Sequence, residues 1–421
     1  MVRTDEFPLP PSPFIRAALK TTVERIALEL NKPQAHAPDW TEFEWRTAMA
    51  VAVMHGVSGM LAGRLLWRGP EVWQAFLAEQ LEQGLLRQER TQQLLAQIDI
   101  AAREVQLPLM ALKGSAILGL HLYAPGERPM SDIDLLCSEQ DRASAGRLIE
   151  ALGYEEGLPS WKHYEYAPRG IGKERAFGEH IANPIKIELH TRIAEQLPQR
   201  EVAITGQVFP SAAHTGLNSY PSKAALMRHL LLHASGNMCF QLVRLIHLHD
   251  IAILAGQLQA QDWDDLLQPA SWWMLPPLAM AERCFPGRIP QACLSRAASH
   301  CPPLLHWASD RYELSGNSLS RAGTPLLPGV EWSRSLPEAW ACVARRVYPG
   351  REASALGKRH ALAHPAMLAT RWVRLPRWKR ALSTLSGKAP RAITMYSLQQ
   401  ALRYRPDAAS IANIASIRAA V

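Results

Sequence analysis

The feature that most constrains this 421-residue chain is a pair of carboxylates two positions apart at the head of an apolar run, Asp132-Ile133-Asp134-Leu135-Leu136-Cys137. Side chains two apart on a strand leave the same face, so the spacing turns Asp132 and Asp134 together and points Ile133 into a core. The unbroken apolar continuation predicts a strand covered on both faces. Two carboxylates this close repel each other unless a cation lies between them, and oxygen-only ligands suit Mg²⁺, with Mn²⁺ as the alternative. The pair therefore reads as a divalent-metal site, which implies that the chain handles a nucleoside triphosphate once a phosphate loop faces it.

Upstream, Leu107-Pro108-Leu109-Met110-Ala111-Leu112 reads as a short buried strand that runs into Lys113-Gly114-Ser115 and then into an apolar stretch of helical character, Ala116 to Tyr123. A strand feeding a small-residue turn at a helix start presents backbone N–H groups to an anion. Gly114 lets a phosphate approach closely, and Ser115 can add a hydroxyl. Ala124-Pro125-Gly126-Glu127-Arg128 is a turn by composition and returns the chain as the carboxylate strand. Arg128 arrives beside the acids as a partner for a phosphate or for one of the carboxylates.

A third acid lies in Ile185-Lys186-Ile187-Glu188-Leu189-His190, whose alternation predicts a strand with Glu188 and His190 on its wet face. Two-metal phosphoryl and nucleotidyl transfer commonly uses such a carboxylate to hold a second ion and to deprotonate an attacking hydroxyl. In this order, the Gly-Ser turn, the Asp-x-Asp strand and the later carboxylate strand resemble the DNA polymerase β-like nucleotidyltransferase superfamily. The likeness is closer to a bacterial branch of uncharacterised nucleotidyltransferases, with the pattern Lys-Gly, Arg, Asp-Ile-Asp-Leu-Leu and Leu-His. Here those elements are Lys113-Gly114, Arg128, Asp132 to Leu136 and Leu189-His190, and the likeness extends over roughly residues 40 to 270. The segment between Ser115 and Asp132 is longer than in the compact superfamily pattern, and the third acid is Glu where many relatives carry Asp.

The resemblance implies an α+β fold, with a polymerase β-like mixed sheet, flanking helices, and helical regions at the N- and C-terminal ends. It implies an enzyme that moves a nucleoside monophosphate from a nucleoside triphosphate to a hydroxyl acceptor and releases pyrophosphate. Asp132, Asp134 and Glu188 would be catalytic and hold the metal, while Lys113, Gly114, Ser115 and Arg128 would bind the nucleotide. The acceptor stays open among a small molecule, a peptide and a protein. Modification of RNA, or a non-catalytic nucleotide- or partner-binding module, are the alternatives.

An apolar content of 48% is ample for large cores and excludes a disordered chain. The N-terminus lacks the basic start and apolar run of a secretory signal. The apolar stretch from Thr47 to Trp67 is broken by His55, Ser58 and Arg64, so a buried helix is expected rather than a transmembrane segment. A cytoplasmic protein is the expectation. The six cysteines show no Cys-x-x-Cys spacing and are expected as reduced, buried thiols.

Hydrophobic period and punctuation divide the chain into a helical region (1–105), a catalytic core (106–200), a second helical region (201–300) and a basic C-terminal region (301–421). The second region carries His229, His233, His247, His249 and Asp250. Histidines four apart on a helix share a face and suit zinc, but no glutamate accompanies them in the metalloprotease arrangement. His233 and Asp250 are expected instead as buried partners that tie two helices together or close the nucleotide pocket. The loop from Pro168 to Gly178, rich in Gly, Lys and Arg, either covers substrate or forms a surface hairpin.

The net charge of +8 is uneven: from Ala353 to Pro406 there are eleven Lys or Arg and no acid, which leaves 35 basic against 38 acidic residues elsewhere, a net of −3. Within that stretch, Arg371 to Arg380 and Arg403-Tyr404-Arg405 interleave cations with aromatics. The pattern suits a polyanionic or acidic partner, or a solvated helical face whose Trp372 and Trp378 pack on the body.

Overall fold

The computed structural model describes residues 9–10, 12–159, 161–170, 176–210, 213–268, 270–347, 379, 382–384 and 389–406. Trp372, Trp378 and most of the basic stretch lie outside the described residues, as do residues 171–175 of the Pro168–Gly178 loop.

Four helices precede the sheet: α1 (Ser12–Asn31), α2 (Glu42–His55), α3 (Ser58–Arg64) and α4 (Glu71–Glu104). Thr41 starts α2 through a capping box, its hydroxyl accepting the Glu44 N–H at 3.3 Å while the Glu44 carboxylate accepts the Thr41 N–H at 2.9 Å. Gly56, in the left-handed region at φ 67°, ends the helix. α2 is buried on nearly every side, which accounts for the apolar run between Thr47 and Trp67. No described helix is long and apolar enough to cross a membrane.

The sheet follows, in chain order β1 (Pro108–Ala111), α5 (Lys113–Gly119), β2 (Asp132–Leu136), α6 (Arg142–Ala151), β3 (Tyr154–Pro159), β4 (Tyr164–Pro168) and β5 (Lys186–His190). A separate hairpin, β6 (Ala194–Leu197) with β7 (Arg200–Ala203), and the short α7 (Thr205–Val208) lead to β8 (Gly216–Asn218), which returns to the main sheet. The spatial order is β3-β4-β5-β2-β1-β8. β2 runs parallel to β5 and antiparallel to β1, so the sheet is mixed and the fold is α+β.

Alternation gives the central strands two faces. Ile133, Leu135, Ile187 and Leu189, all fully buried, pack with Ile98 of α4 and Ile149 of α6 in one core. Met110, Leu112 and Leu136 look the other way, into a larger core shared with α1, α2, α8 (Lys223–Cys239), α9 (Leu245–Ala255), α10 (Ala260–Leu267) and α11 (Leu275–Cys284). The acids of β2 and β5 lie on this second face, so they look toward α8 and α9.

The described end of the basic stretch belongs to the same core. Helix Ala392–Arg403 buries Leu398 and Ala401 against α2, and Arg46 of α2 donates to the Tyr404 carbonyl at 2.9 Å. Arg391 donates to the carbonyls of Gln241 and Ser318, at 2.7 and 3.0 Å. All six cysteines are free thiols, of which Cys137, Cys239 and Cys301 are buried.

His55 joins three parts of this core. Its Nδ1 accepts the Leu245 N–H at 2.9 Å, so Nε2 carries the proton and donates to Ser320 Oγ at 2.9 Å. Complete burial, with Arg244 nearby, pushes the imidazole pKa down to about 3. The folded protein thus keeps His55 neutral while the unfolded chain protonates it below its ordinary value of 6.5. Its contribution to stability is complete above that value and is lost as pH falls toward 3, by up to ~1.4 kcal/mol per pH unit for this one proton. Burial lowers His229, His233, His247 and His249 in the same direction. Urea denaturation midpoints are therefore expected to fall steeply from pH 7 to pH 5, and His55→Gln should flatten that fall while lowering stability at neutral pH.

Candidate active site

The pairing of β2 with β5 assembles the site. Asp134 lies directly opposite Glu188 and Leu136 opposite His190, in a parallel register that turns Asp132, Asp134, Glu188 and His190 to one face. Asp132, Asp134 and Glu188 open onto a cavity of about 310 Å³ whose lining includes Lys113, Gly114, Arg128, Ser131, Glu179, His233, Asn237, Arg244, His247 and Asp250.

Electrostatics dominate this cavity. Lys113 Nζ sits 2.6 Å from Asp134 Oδ1, and His190 Nε2 lies 3.1 Å from the same oxygen. Burial opposes the Asp134 charge, yet Lys113 and His190 outweigh it and hold the carboxyl well below the usual range. Burial likewise opposes the Lys113 charge, and Asp134, Glu188 and Asp132 together raise its pKa regardless. The other acids lack so close a cation. Burial and then Asp134 raise Asp132, and burial followed by repulsion from Asp134 and Asp132 pushes Glu188 up to about 8.

The backbone at Lys113 is strained, with φ at 43° in the left-handed region, and such strain concentrates where a site imposes it. The Tyr220 hydroxyl accepts the Lys113 N–H at 3.2 Å and donates to His229 Nδ1 at 2.7 Å, which secures this turn from behind.

Arg128 is locked rather than free. Its Nε and Nη2 donate to the two oxygens of Asp250 at 2.8 and 2.6 Å, with both side chains buried. The pair ends a chain of contacts that starts one residue earlier. Glu127 accepts two bonds from Arg64, each 2.9 Å, and Arg64 Nη1 donates to His249 Nε2 at 3.0 Å. His249 Nδ1 then carries the proton and donates to the Tyr123 hydroxyl at 2.8 Å, and that hydroxyl donates to Asp250 Oδ1 at 2.7 Å.

The turn before β2 is clamped by close approach. A methyl group on Gly59 or Gly84 would come within 2.3 or 2.8 Å of the Gly126 carbonyl oxygen, so α3 and α4 close directly on the turn. α4 braces the site from the far side as well. Arg87 Nη2 donates to the Met130 carbonyl at 2.8 Å, Gln80 accepts the Glu179 N–H at 2.7 Å, and Arg87 Nε lies 2.8 Å from the Glu179 carboxylate.

A family model described as uncharacterised nucleotidyltransferase matches residues 41–279, more than half of the chain. The chain belongs to this family. Nucleotidyl transfer is accordingly its class of activity. No curated protein matches the chain. One solved structure to which it is similar is that of the antibiotic-resistance factor ANT(2'')-Ia, at 18% identity over 43% of this chain and 91% of that one, with a TM-score of 0.28. A likeness that weak bears neither on function nor on geometry.

Of the residues that the sequence singled out, Lys113, Gly114, Arg128, Asp132, Asp134 and Glu188 all line the one cavity of this family member. Ser115 does not, and its buried hydroxyl has no hydrogen-bond partner among the described residues. Arg128 pairs with Asp250, not with Asp132 or Asp134. His233 and Asp250 both line the cavity, as one of the two expected roles has it, but they do not pair with each other: His233 faces Glu195 at 3.5 Å and Asp250 holds Arg128. Sequence reasoning missed Arg244, which stands at the N-terminus of α9 with its Nε buried and without a hydrogen-bond acceptor. The signal was present as a single cation inside the apolar run Leu242-Val243-Arg244-Leu245-Ile246.

A Cβ on Gly114 would fall 2.6 Å from Arg128 Nη1, and the Asp250 pair leaves that guanidinium no room to retreat. Gly114→Ala is expected to cost about 1–3 kcal/mol by overpacking. Asp250→Asn, which strands a buried guanidinium, should cost about 3–5 kcal/mol. Denaturant unfolding of both variants checks these values.

Proposed function

We propose that the protein transfers a nucleoside monophosphate from a nucleoside triphosphate to a hydroxyl acceptor, with release of pyrophosphate. The observation that carries this reading is the β2–β5 register, which sets Asp134 beside Glu188 in a cavity rimmed by Lys113, Arg128 and Arg244. Of the five acids that line the cavity, Asp250 and Glu179 are paired with Arg128 and Arg87, which leaves Asp132, Asp134 and Glu188 for a metal and Lys113 and Arg244 for a triphosphate.

The acids also fit the metal. Asp132, Asp134 and Glu188 offer oxygen ligands only, and the burial and mutual repulsion that push Glu188 up to about 8 are both offset by a divalent cation between them. These residues would hold Mg²⁺ or Mn²⁺, which when bound supplies neutralisation of the charge that develops on the attacking and leaving oxygens.

The chain's own side chains supply positioning. The backbone at Gly114, which has no side chain to intervene, admits a phosphate close to its N–H. Lys113, once it leaves Asp134, brings its ammonium to the triphosphate, and Arg244 offers the N–H groups of a guanidinium whose Nε lacks an acceptor. Arg128, fixed by Asp250 over Gly114, adds a positive field that needs no reorganisation during the reaction. Glu188 takes the proton of the acceptor hydroxyl. The acceptor oxygen then bonds to the α-phosphorus while the bond from phosphorus to the bridging oxygen breaks, and pyrophosphate leaves with that electron pair.

Incubating the purified protein with each α-labelled triphosphate, Mg²⁺ and a cell extract tests this reading. Label is expected on a small molecule, peptide or protein, with pyrophosphate released. An Asp132→Ala, Asp134→Ala double variant should fall to background, and Glu188→Gln should lose roughly 10²- to 10⁴-fold in rate. Label on RNA would select the RNA-modifying alternative, and turnover that persists in the double variant would remove the metal assignment.

A further inference from the structure

The site holds a second group of potential ligands whose chemistry differs from that of the aspartate pair. Tyr164 of β4 lies opposite Leu189 of β5 in antiparallel register, which brings His163, the residue before β4, next to His190 at the end of β5. The two rings are 5.1 Å apart between centroids and inclined at 63°. His163 Nδ1 is 3.2 Å from Glu188 Oε2, and His190 Nε2 is 3.8 Å from that same oxygen. One donor atom from each of the three residues lies within 4.8 Å of the other two.

We propose that His163, Glu188 and His190 form a transition-metal site, next to the oxygen-only pair Asp132 and Asp134 and sharing Glu188 with it. Three observations converge on it. Ligands bound at about 2.0–2.2 Å to one ion sit roughly 3–3.5 Å from each other; His163 Nδ1 and Glu188 Oε2 already lie at 3.2 Å, and His190 Nε2, at 3.8 Å from that oxygen, needs only a small inward shift. His163 Nδ1 is buried and makes no hydrogen bond, despite its 3.2 Å approach to Glu188. A buried imidazole nitrogen without a partner is costly, and a metal held between it and the neighbouring Glu188 carboxylate would supply that partner. Finally, two imidazoles and one carboxylate are the donor set of Mn²⁺, Fe²⁺, Co²⁺ or Zn²⁺, whereas Mg²⁺ favours oxygen alone.

The two halves of the site therefore differ in selectivity. Asp132 and Asp134 suit a hard cation, and the histidine half takes a borderline one. His190 moves between them, since its Nε2 hydrogen-bonds to Asp134 at 3.1 Å and would leave that bond to ligate. The inference rests on the metal-dependent reading of the cavity given above, but its test does not depend on turnover.

The full-length protein, stripped of metal with a chelator, would be titrated with Co²⁺ and followed by visible absorption. The expected result is one tightly bound Co²⁺ with an intense d–d band, retained in the presence of excess Mg²⁺. His163→Gln should weaken binding by more than ~10-fold, since removing even a partner of a ligand costs that much. His163→Cys should restore binding and add a thiolate-to-cobalt charge-transfer band, which no purely structural role of His163 would produce. X-ray absorption at the cobalt edge of the unaltered protein should show imidazole scattering, so the test survives a variant that fails to fold. An unchanged Co²⁺ isotherm in His163→Gln, displacement of Co²⁺ by Mg²⁺, or absence of imidazole scattering would each overturn the site. Pyrophosphate release in Mg²⁺ with an unchanged isotherm would leave the transferase reading standing and sink the metal site. The reverse pattern would do the opposite.

Discussion

Repulsion among buried carboxylates governs the architecture of this protein. The parallel register of β2 and β5 puts Asp134 beside Glu188, two residues from Asp132, and buries Asp134 while leaving Asp132 and Glu188 half-buried at the cavity. Charge burial on that scale is unfavourable unless opposite charge is supplied at short range. Lys113 supplies it to Asp134, at the cost of a strained backbone φ, while Glu188 answers with a pKa raised to about 8. The cavity is thus poised for a cationic occupant, because among the described residues no cation lies as close to Asp132 or Glu188 as Lys113 does to Asp134.

The surroundings are organised to hold that unstable arrangement in place. α4 reaches behind the site, where Arg87 bonds the Met130 carbonyl and stands beside the Glu179 carboxylate. Across the cavity, the contacts from Glu127 through Arg64, His249 and Tyr123 to Asp250 and Arg128 form one connected network. Each member is satisfied by its neighbours, so Arg128 arrives with its orientation already set. The direct packing of Gly59 and Gly84 on Gly126 makes the long segment between Ser115 and Asp132 an anchored turn, not a loose insertion.

Much of this was legible along the chain because it depends on local periodicity. The Asp-x-Asp alternation, the apolar Leu135-Leu136-Cys137 and the alternation from Ile185 to His190 each predict a strand, and strands lie there. The long helix was visible from Gln80 to Arg103 and is longer, because Glu71 to Glu79 continue its pattern from Pro70 onward. β8 was not visible, since three residues, Gly216 to Asn218, carry no detectable period and become a strand only by pairing with β1. The same limit explains His163, which lies just ahead of β4 and meets Glu188 only through the register of another strand pair.

The amino-acid sequence by itself determined the chemistry on offer: two acids on one strand face, a third on another strand, a glycine turn beside a lysine, and enough apolar residues to bury them. These follow from side-chain spacing over a few residues, which local geometry translates directly into shared faces. Only the tertiary structure decided the partners. Arg128 went to Asp250, His233 to the vicinity of Glu195, Ser115 away from the cavity, and Arg244 into it. The physical reason is that a buried charge is stabilised by whichever opposite charge the packing brings within about 3–4 Å, and that distance depends on how whole strands and helices dock.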